Sequence, residues 1–140
     1  MRKVTIIYGP PGAGKTSYAL KQMRRGDIIV DLDRIFMALS GRDMHDKPAN
    51  LLGMVLAIRE SIFAEIERNI AELNHVWITM GGAKRHERYK LVKRFNAETI
   101  LIKATLNECY ARIRDDKTRR GHWKLSKPFI DRWFSEYEPD

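Results

Sequence analysis

Short runs of apolar, mostly β-branched residues alternate along the chain with longer segments in which apolar residues recur every three or four positions. The short runs predict four buried strands, at 4–8, 27–31, 75–80 and 99–103. The longer segments predict helices, at 15–25, 32–39, 48–70, 84–95, 106–113 and 128–137. Strands that alternate with helices predict an α/β fold, in which helices cover both faces of a parallel sheet.

The size of the chain and its lone cysteine limit the class of protein. The 140 residues predict one domain, spanning 1–140, whose core is large enough to fold without disulfides. Cys109 has no partner for an internal disulfide, which indicates a reducing compartment. No apolar run approaches the roughly 20 residues of a membrane span. We therefore expect a cytoplasmic protein that does not enter a membrane.

The charge of the chain favours an anionic partner. The formal net charge is +8, and much of the excess lies in two stretches, 84–94 and 112–127. Such clustering suits a nucleotide, a nucleic acid or a phosphorylated metabolite, and it argues against a merely soluble basic surface.

The segment from Gly9 to Thr16 has the complete pattern Gly-x-x-x-x-Gly-Lys-Thr, between a predicted strand and a predicted helix. Glycines let the backbone approach phosphate closely, and N–H groups at a helix start form an anion-binding nest. Lys15 is expected to reach the β- and γ-phosphates, and the Thr16 hydroxyl to bind Mg²⁺. The pattern predicts that ATP is bound by Gly9, Pro11, Gly12, Ala13, Gly14, Lys15, Thr16 and Ser17.

Two carboxylates follow the second strand, in Asp31-Leu32-Asp33-Arg34. Ligands of α/β sheets collect at the carboxyl ends of the strands, so these side chains would face the γ-phosphate. One carboxylate would accept a proton from an attacking hydroxyl, for which we choose Asp33, and the other would bind Mg²⁺. The alternative is that Asp31 or Asp33 only caps the following helix.

Arginines recur between the last strand and the last helix, at Arg112, Arg114, Arg119 and Arg120. Arginines stabilise the charge of a transferring phosphoryl group, and a mobile lid that carries them would exclude water. The alternatives are a solvated charged loop and, for Arg112, a side chain that covers the end of its helix.

The helix predicted after the third strand is rich in Lys and Arg, and its first turn should lie near the active-site edge. A nucleic-acid acceptor would explain this charge. The alternative is a solvated face, with Tyr89, Leu91, Val92 and Phe95 directed inward. The basic residues are Lys84, Arg85, His86, Arg88, Lys90, Lys93 and Arg94.

With these motifs, the chain resembles the small P-loop kinases, and most closely the kinase domain of phage-type 5′-polynucleotide kinases. The resemblance rests on segments 7–16, 31–34, 119–121 and 128–131. It implies a three-layer P-loop NTPase fold with strand order 2-3-1-4 and an arginine-bearing lid. It also implies transfer of the γ-phosphoryl group of ATP to a hydroxyl, with Asp33 as the general base and Lys15 on the phosphates. Arg120 or Arg119 would clamp the transferring group, and Arg112 or Arg114 would lie against the adenine.

The third strand departs from the family pattern. Members of the family often carry an aspartate at its end, where this chain reads Thr79-Met80-Gly81-Gly82. Mg²⁺ would then depend on Thr16 and on Asp31 or Asp33, and an oligomeric motor ATPase is disfavoured. Gly81 and Gly82 would either offer N–H groups to an acceptor phosphate or form a plain turn.

Three functions follow from the sequence. The leading one is a kinase that acts on a 5′-hydroxyl of a nucleic acid or nucleotide, with ATP and Mg²⁺ as cofactors. The Asp-x-Asp pair also resembles that of shikimate- and gluconate-type kinases, which keeps a small-molecule acceptor open. The third is a nucleotide-binding ATPase that has no phosphoryl acceptor and acts through a partner.

Overall fold

Four strands and six α-helices alternate in residues 2–116 and 123–140, the part of the chain that the computed structural model describes. The strands are β1 Val4–Tyr8, β2 Ile28–Val30, β3 Val76–Met80 and β4 Glu98–Leu101. The helices are α1 Lys15–Gln22, α2 Leu32–Ser40, α3 Leu52–Asn69, α4 Arg85–Phe95, α5 Leu106–Asp115 and α6 Trp123–Glu136. A short 3₁₀ helix, Ala49–Leu51, leads into α3.

The strands form one parallel sheet in the order β2-β3-β1-β4, with the helices around it. β1 lies in the interior of the sheet and pairs with β3 from Val4↔Val76 to Tyr8↔Met80, and its other edge pairs with β4. All five residues of β1 are buried, as its continuous apolar run predicts. The predicted α/β fold and strand order are confirmed.

Two apolar clusters hold the layers together. The larger lies between the sheet and helices α3 and α4, where Phe63 and Ile66 of α3 pack against strand residues such as Ile6 and Ile78. The smaller joins α5 to α6 through Cys109, Ile113 and Ile130. Because α5 also carries residues that touch the loop after β1, the second cluster supports the site described below.

Some element boundaries differ from the predicted ones. Helix α1 ends at Gln22, because Met23 adopts an extended backbone. Strand β4 covers 98–101 rather than 99–103. Helix α6 includes Trp123, ahead of the predicted start, and contains Pro128. Pro128 therefore lies inside the helix, where it leaves one helical hydrogen bond unmade and crowds the preceding turn, and it does not mark the helix start.

Within the described residues, no helix combines the length and apolar character needed to cross a bilayer.

Candidate active site

The loop between β1 and α1 has a backbone that demands glycine. Gly12 and Gly14 have φ of +81° and +96°, and Gly14 is the N-cap of α1. A Cβ on Gly9 would lie 2.7 Å from the backbone oxygen of Ile102, a contact that no side chain tolerates. A Cβ on Gly12 would lie 3.0 Å from the Ile113 side chain. The loop is therefore packed against the chain after β4 and against α5.

Lys15 begins α1, and its ammonium folds over the loop. Its Nζ donates to the carbonyl oxygens of Gly9 at 2.8 Å and Pro10 at 3.1 Å. Thr16 and Ser17 complete the first helical turn, where N–H groups precede the intrahelical ladder and attract anions. The Ala13 N–H donates to Pro10 within the loop. The arrangement is a phosphate-binding cradle at a helix start.

Asp31 joins the loop to the second and third strands. It is only 4% exposed, and its Oδ2 accepts from the Thr16 hydroxyl at 2.6 Å and from the Thr79 hydroxyl at 2.8 Å. Its Oδ1 accepts from the Arg34 N–H at 3.1 Å and so caps α2. The capping role and the contact with the Mg²⁺ candidate Thr16 thus coexist, one on each carboxylate oxygen.

Asp33 lies in the first turn of α2 and opens into the same cleft. Its carboxylate is partly exposed and pairs with the Lys47 ammonium at 3.0 Å. Three hydrogen bonds surround the Asp31 carboxylate, whereas the Asp33 carboxylate lines the cleft, partly exposed, with Lys47 as its ion-pair partner. The two carboxylates are therefore equipped for different tasks.

The predicted arginines separate into three groups. Arg112 of α5 donates to the Ala13 carbonyl at 2.8 Å and to the Gly12 carbonyl at 3.3 Å, so it lies on the phosphate loop. Arg114 lies beside Asp115 and the Trp123 ring, away from the residues that line the cleft. Arg119 and Arg120 lie outside the described residues.

The loop and the two carboxylates line a cleft of about 990 Å³. Residues of α3 and α4 line it as well; the first turn of α4 was predicted to lie near the site, whereas α3 was not assigned to it. These residues include Arg59, Glu60 and Phe63 of α3 and Lys90 and Arg94 of α4. Lys47, the partner of Asp33, belongs to the same lining.

Arg59 is unusual among the residues that line the cleft. Its guanidinium lies 5.8 Å from the Phe63 ring centre, and it makes no hydrogen bond or ion pair with any described residue. Burial lowers the pKa of Arg59, against the opposing effect of Glu60. A partly desolvated cation that lines a cleft is a ready contact for an anion. A basic residue inside a mostly apolar helix was the only sequence signal for it.

Two assignments within the basic helix were wrong. Arg88, grouped with the surface cations, is 2% exposed, whereas Tyr89, directed inward in the alternative reading, is 56% exposed. Arg88 binds the turn that follows β3, and the carbonyls of Gly81 and Gly82 in that turn both accept hydrogen bonds. Thr79, which the sequence reading also passed over, contributes the second hydroxyl on Asp31.

Thr16 and Asp31 offer oxygen ligands of the kind that Mg²⁺ prefers. The described residues contain no group of three or more His, Cys, Asp or Glu side chains that could hold a metal ion. In nucleotide sites, Mg²⁺ binds one or two protein oxygens together with phosphates and water, and Thr16 and Asp31 could supply the protein oxygens. The two residues therefore fit Mg²⁺ delivered with a nucleotide.

A family model described as AAA domain matches residues 4–137. No curated protein sequence matches the chain. Among solved structures, the chain is similar to shikimate kinase from Bacteroides thetaiotaomicron, with a TM-score of 0.64 and 17% identity over 97% of this chain and 80% of that one. Shikimate kinase from Acinetobacter baumannii, solved in complex with shikimate, gives a TM-score of 0.54 and 16% identity over 100% and 85%.

A chain of the Pnkp1/Rnl/Hen1 RNA repair complex is also similar, with a TM-score of 0.61 and 12% identity over 98% of this chain. The present chain covers 46% of that one, so it spans about half its length. At these identities the likeness shows the fold alone: a four-stranded parallel sheet of order 2-3-1-4 with helices around it, matching the P-loop NTPase kinase fold.

Proposed function

Because the chain belongs to the AAA domain family and has a P-loop kinase-like fold, we propose that it is an ATP-dependent kinase acting on a hydroxyl acceptor. One observation carries the proposal: buried Asp31 accepts from Thr16 of the phosphate loop, while Asp33 opens into the adjoining cleft. A protein that only bound nucleotide would need the first carboxylate and not the second.

The residues divide the reaction between them. The loop N–H groups and Lys15 bind the phosphates, and Thr16 with Asp31 holds Mg²⁺, which would neutralise developing charge when bound. The acceptor oxygen attacks the γ-phosphorus, its proton passes to the Asp33 carboxylate, and ADP departs. Lys47 must leave Asp33 for this step, and their ion pair is exposed enough to break at little cost. Arg112 lies close enough to the loop to reach bound nucleotide.

We assign the acceptor as a 5′-hydroxyl of a nucleic acid or nucleotide. Arg59 of α3 and Lys90 of α4 line the same cleft as the loop, and the described residues provide no ion pair for either of them. A phosphate near the reacting hydroxyl would satisfy these cations. The resemblance to phage-type 5′-polynucleotide kinases and the neighbouring RNA repair complex support the same acceptor.

A small hydroxylated acid is the second candidate acceptor. The fold is similar to that of two shikimate kinases, one of them solved in complex with shikimate. Arg59 would bind a carboxylate as well as a phosphate, because both are oxyanions that accept hydrogen bonds from a guanidinium.

The test is transfer of label from γ-labelled ATP. We expect label on an oligonucleotide with a 5′-hydroxyl and none on the same oligonucleotide with a 5′-phosphate. Asp33→Asn should abolish transfer and keep ATP binding. Asp46→Asn is the matched control, since Asp46 also pairs with an exposed cation, Arg42 at 2.8 Å, but does not line the cleft. Label on small hydroxy acids alone would favour the second acceptor, and release of phosphate with no labelled acceptor would refute a kinase.

A further inference from the structure

Arg88 of α4 is the most deeply buried charged side chain among the described residues. Its Nη1 donates to the Gly82 carbonyl at 2.7 Å and to the Ala83 carbonyl at 3.2 Å. Its Nη2 donates to the Glu138 carbonyl at 2.7 Å and to Asp140 at 2.8 Å. Its guanidinium also lies 4.5 Å from the centre of the Tyr8 ring. One side chain thus joins the end of β1, the turn after β3 and residues 138–140.

Charge pairing does not explain why Arg88 is buried. Its carboxylate partner, Asp140, is 66% exposed, so water screens the ion pair and the pair adds little stability. Among residues 2–116 and 123–140, nothing forms a hydrogen bond with the Arg88 Nε. Burying a guanidinium costs free energy that hydrogen bonds must offset, and most of these bonds go to backbone carbonyls. The main role of the buried Arg88 side chain is therefore to bind these backbone carbonyls.

The backbone that Arg88 holds borders the cleft. Gly81 and Gly82 line it, and Gly82 has φ of +61° with Tyr8 Cβ and Arg88 Cγ 3.0 and 3.1 Å from where a Cβ would stand. The Gly81 carbonyl accepts both from the Gly9 N–H at 3.2 Å and from Trp133 Nε1 at 2.8 Å. The turn is thus bonded directly to the first residue of the phosphate loop.

Two sets of contacts, made by different residues, hold the phosphate loop and the turn after β3. Helix α5 supports the tip of the phosphate loop, where Arg112 binds the Gly12 and Ala13 carbonyls and Ile113 packs under Gly12. Arg88 and Trp133 support the turn at Gly81–Ala83 from the opposite side. Because different residues make the two supports, one can be weakened while the other stays in place.

We propose that Arg88 is a positioning residue: it fixes the Gly81–Ala83 turn against the phosphate loop and so sets the acceptor side of the cleft, without touching substrate. The effect of Arg88 on kcat rests on the proposed function, because a kcat can be measured only if the protein transfers a phosphoryl group. Loss of Arg88 lets the turn move relative to bound ATP. A misplacement of about 1 Å can cost about 10²-fold in rate, whereas phosphate binding by the loop is unaffected.

The experiment compares Arg88→Met and Arg88→Lys with Arg85→Met. Arg85 is a matched control, because it also binds the terminal residues, through the Pro139 carbonyl at 3.0 Å, yet makes no contact with the turn carbonyls or Tyr8. We expect both Arg88 variants to lower kcat about 10²-fold with the Kd for ATP within about twofold. Lysine should not rescue, since one ammonium cannot bridge the turn and residue 138 as the guanidinium does. Arg85→Met should behave as the unmodified protein.

Hydrogen exchange supplies a readout that needs no acceptor. Amides of residues 80–84 should exchange faster in the Arg88 variants and in Trp133→Phe, which removes one donor to Gly81, and the Gly9 amide, which donates to Gly81, should follow them, while amides of 12–17 keep their rates. If Arg88→Met does not fold, Arg88→Lys and Trp133→Phe decide the matter. Equal losses of ATP affinity and kcat, or unchanged exchange at 80–84, would overturn the proposal. If the unmodified protein transfers no phosphoryl group, the proposed function fails, and the exchange rates still test the positioning.

Discussion

Asp31→Asn should separate the structural role of this residue from its role in nucleotide binding. The asparagine oxygen must take the Arg34 N–H, since an amide NH₂ cannot accept from it, so α2 keeps its cap. The NH₂ group then faces the Thr16 and Thr79 hydroxyls, which have to turn and accept. One of the two Thr16 lone pairs is thereby occupied, and the hydroxyl loses the orientation that Asp31 gives it, which weakens Thr16 as a ligand for Mg²⁺.

The cost to stability follows from the same contacts. Two hydrogen bonds to a charged carboxylate, worth about 1.5–3 kcal/mol each, become neutral ones worth about 0.5–1.5 kcal/mol. The loss of about 2–3 kcal/mol should lower the Tm by roughly 5–10 °C, which leaves the protein folded at 25 °C. The affinity for Mg²⁺ should fall further than the stability does, because the substitution disturbs the Thr16 oxygen and removes the neighbouring negative charge together.

The assay is displacement of a fluorescent ATP analogue with Mg²⁺ and with EDTA. For the unmodified protein, we expect Mg²⁺ to tighten binding, and for Asp31→Asn, the ratio of the two Kd values should approach one. Thr79→Val is the control: it removes one donor to Asp31 and keeps the Thr16 bond, so its Tm falls while the ratio is retained. A normal Mg²⁺ ratio in Asp31→Asn would refute the assignment of Asp31 and Thr16 to the metal.

Three further predictions concern other residues. Lys15→Ala should abolish ATP binding in the fluorescence assay and leave the circular dichroism spectrum unchanged, since the Lys15 ammonium donates to the loop carbonyls of Gly9 and Pro10 and takes no part in the pairing of the strands. Arg59→Met should raise the acceptor KM about tenfold, the equivalent of about 1.4 kcal/mol, with the ATP Kd unchanged, while the exposed Arg68→Met changes neither. Hydrogen bonds lower the pKa of Asp27; the largest effect comes from the Arg24 N–H, followed by those of Trp77 and His75. The contribution of Asp27 to the unfolding free energy should therefore be complete above about pH 4 and be lost as pH falls through its folded pKa; Asp27→Asn should flatten that acid limb in urea titrations.

The phosphate loop was predictable because its signal is local, whereas the strand order followed from the resemblance to the small P-loop kinases. The Gly-x-x-x-x-Gly-Lys-Thr pattern sits where a buried apolar strand ends, and Gly9, Gly12 and Gly14 occupy positions that other residues would strain or block. Such a loop can be recognised without knowledge of distant contacts, since its glycines mark the positions where the backbone adopts conformations that other residues avoid.

The two readings of Asp31 could not be separated from sequence. A helix cap and a partner for Thr16 both require an aspartate at the end of β2, and the structure uses a different oxygen for each. The choice depends on the position of Thr79, which comes from a strand far along the chain.

The burial of Arg88 was equally hidden from sequence. Helix α4 carries cations on most of its surface, so charge gives no periodic signal that marks one of them as internal. What buries Arg88 is contact with Tyr8, with the turn after β3 and with Glu138, which lie far apart in sequence. Only the assembled fold brings these partners together.

The interior position of β1 has a consequence for the order of events during synthesis. β1 leaves the ribosome first, yet its two neighbours in the sheet begin at Val76 and Glu98. Parallel pairings between such distant segments form slowly, because loop-closure entropy must be overcome first. The phosphate loop gains its packing only when the chain after β4 and α5 are in place. Nucleotide can therefore bind only after α5 has been made and has packed, and it would stabilise the assembled fold without guiding its early steps.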